Sequence, residues 1–149
     1  MKFPNNGFWD DLSMGESLDW VRGIYGRLAV AVGSETLTYG SGHFEAVTND
    51  AGAGQVILIS TGVLAVLDFE VANLDSSSAN LKASVKVFRI ADIDSAAVER
   101  VRIGQNGEVD RAVVTLKMRN STTFTLPTGA HPESRNDREL LGLLPQLLG

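Results

Sequence analysis

The chain has 149 residues, of which 44% are hydrophobic and 21% are charged, and its net charge is −5. This length fits a single globular core, and the composition is neither that of a disordered chain nor that of a fibrous protein. Because the chain contains no cysteine, zinc fingers, thiol redox centres and cysteine nucleophiles are excluded.

The charge is distributed unevenly along the chain. Residues 1–75 carry three basic and ten acidic residues, whereas residues 76–149 carry ten basic and eight acidic residues. An anionic protein is repelled by phosphate backbones and anionic lipid surfaces, which argues against binding to nucleic acid or bulk membrane. The N-terminus lacks the apolar stretch of a secretory signal, and no run of about 18 apolar residues occurs. A cytoplasmic location is therefore the default expectation.

Residues 1–13 are predicted to form an N-terminal arm, and residues 14–32 an N-terminal helix. Ser13-Met14-Gly15-Glu16 has the spacing of a capping box, in which the serine and glutamate side chains accept hydrogen bonds from backbone donors at a helix start. Apolar residues then recur at helical spacing, at Leu18, Val21, Tyr25 and Leu28. Gly23 and Gly26 each weaken the helix by about 1 kcal/mol relative to alanine. They also leave room for another segment to approach closely.

Residues 35–126 are predicted to hold about seven short strands. The strongest signal is a hairpin formed by Val56–Ile59 and Val63–Leu67, two apolar runs joined by Ser60-Thr61-Gly62. Before this hairpin, Gly40-Ser41-Gly42 is expected to separate two short strands. The glycine-rich segment Asn49–Gly54 is expected to be a loop.

The later strands follow from alternation of apolar and polar residues. Residues 81–90 and 97–103 each alternate, which is typical of strands with one solvated face. Asn106-Gly107 is the favoured pair for a type I′ hairpin turn. Residues 109–118 and 122–126 are predicted to be the last strands. A C-terminal helix is predicted over residues 137–148, with Pro145 expected to bend or end it.

This order of about seven strands followed by a leucine-rich helix resembles the pleckstrin-homology-like (PH-like) superfold as it occurs in small bacterial proteins. The hairpin Val56–Asp68 and the segment Val87–Ser95 carry the resemblance, and Thr122–Leu126 with the last helix completes it. The resemblance implies a mainly β (α+β) fold, a bent antiparallel barrel of about seven strands with a C-terminal capping helix. Residues 14–149 would form a single PH-like domain with an extra N-terminal helix.

The resemblance does not extend to a lipid site. Lipid-binding members of the family use basic residues in the loop of their first hairpin, whereas the corresponding loops here, residues 40–43 or 49–54, contain no lysine or arginine. A competing architecture places the N-terminal helix in the palm of a curved sheet, as cystatin-like folds do. This cone-shaped alternative would hold a pocket for a small molecule and could serve as a binder or an enzyme.

Residues that could carry catalysis or bind a metal are few and scattered. His43 and His131 are expected in loops without a predicted partner, and Asp92 and Asp94 lack the further oxygen ligands that Mg²⁺ or Ca²⁺ requires. No Gly-x-Ser-x-Gly motif of a serine nucleophile occurs. The sequence therefore predicts no catalytic, cofactor-binding or metal-binding residue, and no enzyme.

Two sets of residues are candidates for interaction with partners. Basic residues of matching parity would lie on the polar faces of their strands and could form a basic stripe, namely Lys82 and Lys86, Arg100 and Arg102, and Lys117 and Arg119. The aromatic residues Phe8, Trp9 and Trp20 are the second set. We expect a non-catalytic domain that binds a protein or peptide, at a strand edge for example, or that self-associates as a homo-oligomer. Binding of an anionic lipid by the basic stripe is a further alternative.

Overall fold

The computed structural model describes residues 19–74, 79–129 and 139–148. In these ranges the chain forms two antiparallel sheets, of four and three strands, and two α-helices. The prediction of a mainly β, α+β fold is confirmed. The described strands are hydrogen-bonded as two separate sheets, whereas the resemblance implies one bent barrel. None of the described helices is long and apolar enough to cross a membrane.

The chain divides into two compact units, residues 1–88 and 89–149. The elements of the first unit are α1 (Asp19–Val32), β1 (Leu37–Ala46), β2 (Ala51–Ser60), β3 (Val63–Ala72) and β4 (Asn80–Arg89), with the unit boundary at the end of β4. The elements of the second unit are a 3₁₀ turn (Ile90–Asp92), β5 (Ile93–Ile103), β6 (Val109–Met118), β7 (Thr123–Leu126) and α2 (Glu139–Leu148). The strand orders are β1-β2-β3-β4 and β5-β6-β7.

Helix α1 covers one face of the four-stranded sheet. It buries residues at helical spacing, Val21, Ile24, Leu28 and Val32, against the inward side chains of β2 and β3. Burial of one such aliphatic side chain contributes about 1.5–3 kcal/mol. The helix ends at Gly33, whose φ of +66° suits glycine at a helix C-terminus. The predicted helix is confirmed over Asp19–Val32, and its predicted capping box lies outside the described residues.

Two glycine-rich segments that the sequence places in breaks or loops lie within strands. β1 continues through Gly40-Ser41-Gly42, and β2 begins at Ala51, so both predictions are wrong. Gly52 and Gly54 lie under aromatic rings: a Cβ atom at Gly54 would be 2.5 Å from Cζ of Phe69, and one at Gly52 would overlap the ring of Phe44. Bare backbone at these positions therefore makes room for aromatic packing from neighbouring strands.

An aromatic cluster fills this space above the glycines. The rings of Phe44 and Phe69 stack with their centroids 6.0 Å apart. Trp20 of α1 stacks on both rings, at 5.7 Å from Phe44 and 6.4 Å from Phe69. The half-buried Trp20 therefore links the start of the helix to β1 and β3.

The predicted central hairpin is confirmed, with Thr61-Gly62 joining β2 and β3. The carboxylate of Glu35 accepts hydrogen bonds from the Ser60 hydroxyl and, at 3.0 Å, from the Gly62 amide. The Ser60 hydroxyl oxygen also accepts a hydrogen bond from the Val63 amide at 3.0 Å. Glu35, which follows α1 in sequence, thus ties the helix–strand connection to the β2–β3 turn.

We expect Glu35→Ala to lower the free energy of unfolding by about 1 kcal/mol, because the substitution removes the acceptor of two hydrogen bonds at the turn. Urea denaturation followed by circular dichroism measures this loss. Glu45→Ala is the matched control, because Glu45 is an exposed residue of β1 with no ion pair among the described residues. This substitution is expected to change the free energy of unfolding by no more than about 0.5 kcal/mol. Equal losses for the two variants would contradict the role assigned to Glu35.

The ladder between β5 and β6 is interrupted three times. The register places one extra residue at Asp94 and one at Glu99 in β5, and one at Asp110 in β6. The turn between these strands contains Asn106-Gly107 as predicted, but only Gly107 has a positive φ, of +79°, so the type I′ assignment is wrong. The Asn106 side chain instead accepts a hydrogen bond from the Glu108 amide at 3.1 Å.

Helix α2 packs along β5 in the second unit. Its buried residues are Leu140, Leu143 and Leu147, which recur at helical spacing. Pro145 lies inside the helix, which continues to Leu148. The predicted leucine-rich C-terminal helix is confirmed.

Candidate functional site

The predicted basic residues occupy three different settings. Lys82 and Lys86 lie on the exposed face of β4, in the first unit. Arg100, Arg102 and Lys117 lie on β5 and β6, in the second unit. The backbone amide of Arg119 donates a hydrogen bond to the Asp92 carbonyl at 2.9 Å, and its guanidinium lies 3.8 Å from the Asp92 carboxylate.

In the second unit the register brings a further arginine into the basic set. Arg102 lies directly opposite Arg111, and Arg100 lies opposite Val113 on the same face of the sheet. Lys117 shares this face, because residues of β6 alternate from Arg111 onwards. The sequence analysis missed Arg111, although its parity with Lys117 could have identified it. Arg100 and Arg111 are each engaged in interactions.

In the first unit, an open apolar groove lies between α1 and β4. It has a volume of about 550 Å³ and is lined by helix residues and by β4, namely Gly23, Gly26, Arg27, Val30, Ala31, Val85 and Val87. We call this surface the α1/β4 groove. Val30 is 85% exposed and Val87 is 49% exposed, so both side chains present apolar surface to solvent.

The glycines of α1 shape the groove. A Cβ atom at Gly23 would lie 2.9 Å from Cδ2 of Leu81, so the helix approaches β4 closely at this point. One turn further along, a Cβ atom at Gly26 would meet nothing within 4 Å. The groove is therefore open at Gly26, where a side chain is absent and space is available.

Strand β4 borders the groove and is the last strand of its sheet. In the described part of the chain no strand pairs with its outer side. Its burial alternates without interruption from Asn80 to Lys86, as it does in a regular strand. β5 ends the other sheet, but the extra residues Asp94 and Glu99 disrupt its ladder, and bulges of this kind hinder pairing with a further strand.

The two faces of β4 differ in chemistry. Leu81, Ala83 and Val85 pack on the α1 side with the core of the first unit. Lys82 and Lys86 are exposed on the opposite face. At the groove, Arg27 donates a hydrogen bond to the Gly23 carbonyl at 2.9 Å and adds a third positive charge close to β4.

Of the residues considered for catalysis, His43 is placed otherwise than predicted. His43 lies in β1, opposite Gln55, and not in a loop, while His131 lies outside the described residues. Asp92 is 3.3 Å from Nε of Arg89, and Asp94 is an extra residue of β5. Among the described side chains, no group of three could hold a metal ion. Phe8 and Trp9 lie outside the described residues.

Comparisons with known proteins identify no family for this chain. It matches no family model, no curated protein and no solved structure.

Proposed function

We propose that the chain is a non-catalytic interaction domain that binds an extended segment of a partner protein along the outer side of β4. The observation that carries the proposal is the position of the α1/β4 groove directly beside an edge strand. In this recognition mode the main chain of the ligand hydrogen-bonds to the edge strand, and alternate side chains enter pockets.

The dimensions of a sheet fit this arrangement. A strand added beside β4 would lie about 4.8 Å from it and would direct every second side chain towards the α1 side. On that side lie the bare backbone of Gly26 and the exposed side chains of Val30 and Val87. Apolar side chains of the ligand would bury this surface, which is otherwise exposed.

The proposal includes the PH-like architecture, a cytoplasmic location and the absence of a cofactor. Antiparallel strands followed by a leucine-rich helix support the architecture. The packing of α1 on the face of a sheet is a feature expected of the cone-shaped alternative. That alternative also needs a deep pocket with converging polar groups, whereas the α1/β4 groove is open and its lining is almost entirely apolar.

A second candidate function is binding of an anionic lipid headgroup by the second unit. Arg102 directly opposite Arg111 is the observation that favours it, because neighbouring arginines can both form charge-assisted hydrogen bonds to a phosphate group. This function predicts affinity for vesicles containing anionic lipid that falls with salt concentration. Peptide binding at β4 predicts no such dependence on lipid.

A phage library of random nine-residue peptides tests the proposed function. We expect the wild-type domain to enrich peptides that shift the amide resonances of β4 and of the groove residues of α1 in heteronuclear NMR spectra. Gly26→Phe should weaken their binding at least tenfold, because the ring would fill the α1/β4 groove. A Cβ atom at this position meets nothing within 4 Å, so the variant should remain folded.

Gly26→Ala is the control, since a methyl group leaves most of the groove open. Binding by this variant is expected to equal that of the wild type. Peptides that bind Gly26→Phe as tightly as the wild type, or resonance shifts confined to β5, β6 and β7, would refute the proposed site.

A further inference from the structure

We infer that the segment bound at β4 alternates apolar with acidic residues. This inference rests on the proposed strand addition and specifies the chemistry of the partner. It follows from the two faces of β4, because neighbouring residues of an added strand would point to opposite faces of the sheet.

On the α1 side the ligand would meet apolar surface. Residues opposite Ala83, Val85 and Val87 would face the α1/β4 groove, in which Arg27 is the only charged lining residue among those that the structure describes. An acidic or amide side chain there would lose its hydration against valines and glycine. The groove therefore selects aliphatic side chains at every second position.

On the other side the ligand would meet two lysines. Lys82 and Lys86 are exposed, and among the described residues neither has an ion-pair partner. An added strand would place a residue directly opposite each lysine, four residues apart, with a third opposite Ser84. Opposite charges paired across strands are favourable and like charges are unfavourable, so these positions select aspartate or glutamate.

β3, the strand that pairs with β4 in the sheet, already alternates apolar and acidic residues. β3 contains Leu67-Asp68-Phe69-Glu70-Val71, in which the apolar residues pack towards α1 and the two acids are exposed on the opposite face. Asp68 and Glu70 therefore share a sheet face with Lys82 and Lys86 of the adjacent strand. A ligand of the inferred pattern would repeat on the outer side of β4 the chemistry that β3 provides on the inner side.

The same lysines disfavour a second copy of the chain as the occupant. If two β4 strands paired antiparallel around Ser84, Lys82 of each copy would lie opposite Lys86 of the other. Such like-charge pairs are destabilising, and lysines at a strand edge hinder edge-to-edge association of this kind. A different, acidic segment relieves the repulsion.

Two synthetic peptides test the inference, Val-Glu-Val-Glu-Val-Glu-Val and its lysine counterpart Val-Lys-Val-Lys-Val-Lys-Val, each acetylated and amidated. We expect the glutamate peptide to bind the wild-type domain at least about tenfold more tightly than the lysine peptide, the combined effect of paired charges. The difference should shrink at high salt. Fluorescence anisotropy gives the affinities, and amide resonance shifts locate the bound peptide.

Lys86→Glu should lower the affinity of the domain for the glutamate peptide and raise its affinity for the lysine peptide. Arg22→Glu makes the same change in net charge on an exposed residue of α1 that does not line the α1/β4 groove, and it should leave both affinities unchanged. Equal affinity of the two peptides for the wild type, with shifts at β4, would overturn the inferred pattern and leave strand addition standing. If neither these peptides nor the library peptides perturb β4, the proposed function itself is refuted.

Discussion

Gly54→Ala is expected to lower the free energy of unfolding by about 3 kcal/mol, a large loss for the addition of one methyl group. A Cβ atom at this position would overlap the carbonyl oxygen of His43 and lie 2.5 Å from Cζ of Phe69. The carbonyl belongs to the backbone of the neighbouring strand, so it cannot move away without disturbing the pairing of β1 with β2. The Phe69 ring is held in turn by its stacking on Phe44 and Trp20.

Equilibrium denaturation in urea measures this loss, and the fluorescence of Trp20 reports directly on the aromatic cluster. Gly26→Ala is the matched control, because a Cβ atom there meets nothing within 4 Å. Alanine should stabilise the helix at Gly26 by up to about 1 kcal/mol. If Gly54→Ala is as stable as the wild type, the aromatic rings do not lie on the backbone of β2 as described.

Leu140→Ala is expected to lower the free energy of unfolding by about 3 kcal/mol. Leu140 is fully buried and begins the row of leucines that α2 directs into the second unit. Truncation to alanine removes apolar contacts and leaves a cavity, and both effects destabilise the fold. The size of the loss would show that α2 is an integral part of the second unit.

Leu144→Ala provides the comparison within the same helix. Leu144 is only half-buried, so its truncation should cost clearly less than that of Leu140. Calorimetry on both variants measures the two losses under the same conditions. Similar small losses for the two leucines would mean that α2 contributes little to the core.

Much of the secondary structure follows from local sequence patterns. The helix over Asp19–Val32 and the alternation along β4 are each encoded by residues close together in the chain. The hairpin turn at Thr61-Gly62 is equally local. Such elements are predictable because their signal lies within a few residues.

The glycine-rich strand β2 shows where local patterns fail. Alanine and glycine over Ala51–Gly54 have the composition of a loop, and no nearby residue indicates otherwise. The strand forms because Phe44 and Phe69, from two other strands, cover its bare backbone. This information is nonlocal, since it depends on which strands become neighbours.

The candidate site was predictable in part. Strand parity correctly placed Lys82 and Lys86 together on one face of β4. The α1/β4 groove could not be predicted, because it depends on where α1 packs on the sheet and on which strand forms the edge of that sheet. Gly26 illustrates the limit: the sequence shows that a side chain is missing, and only the structure shows the open space beside it.

The extra residues in β5 have a consequence for behaviour in concentrated solution. Val98, Val101 and Ile103 are exposed on this strand, a composition that promotes fibril growth when the backbone is regular. A second molecule that added a strand to β5 would have to match the two irregularities of this strand, at Asp94 and Glu99. Both of these residues are negatively charged. The β4 edge can therefore remain available for a ligand while the β5 edge resists polymerisation.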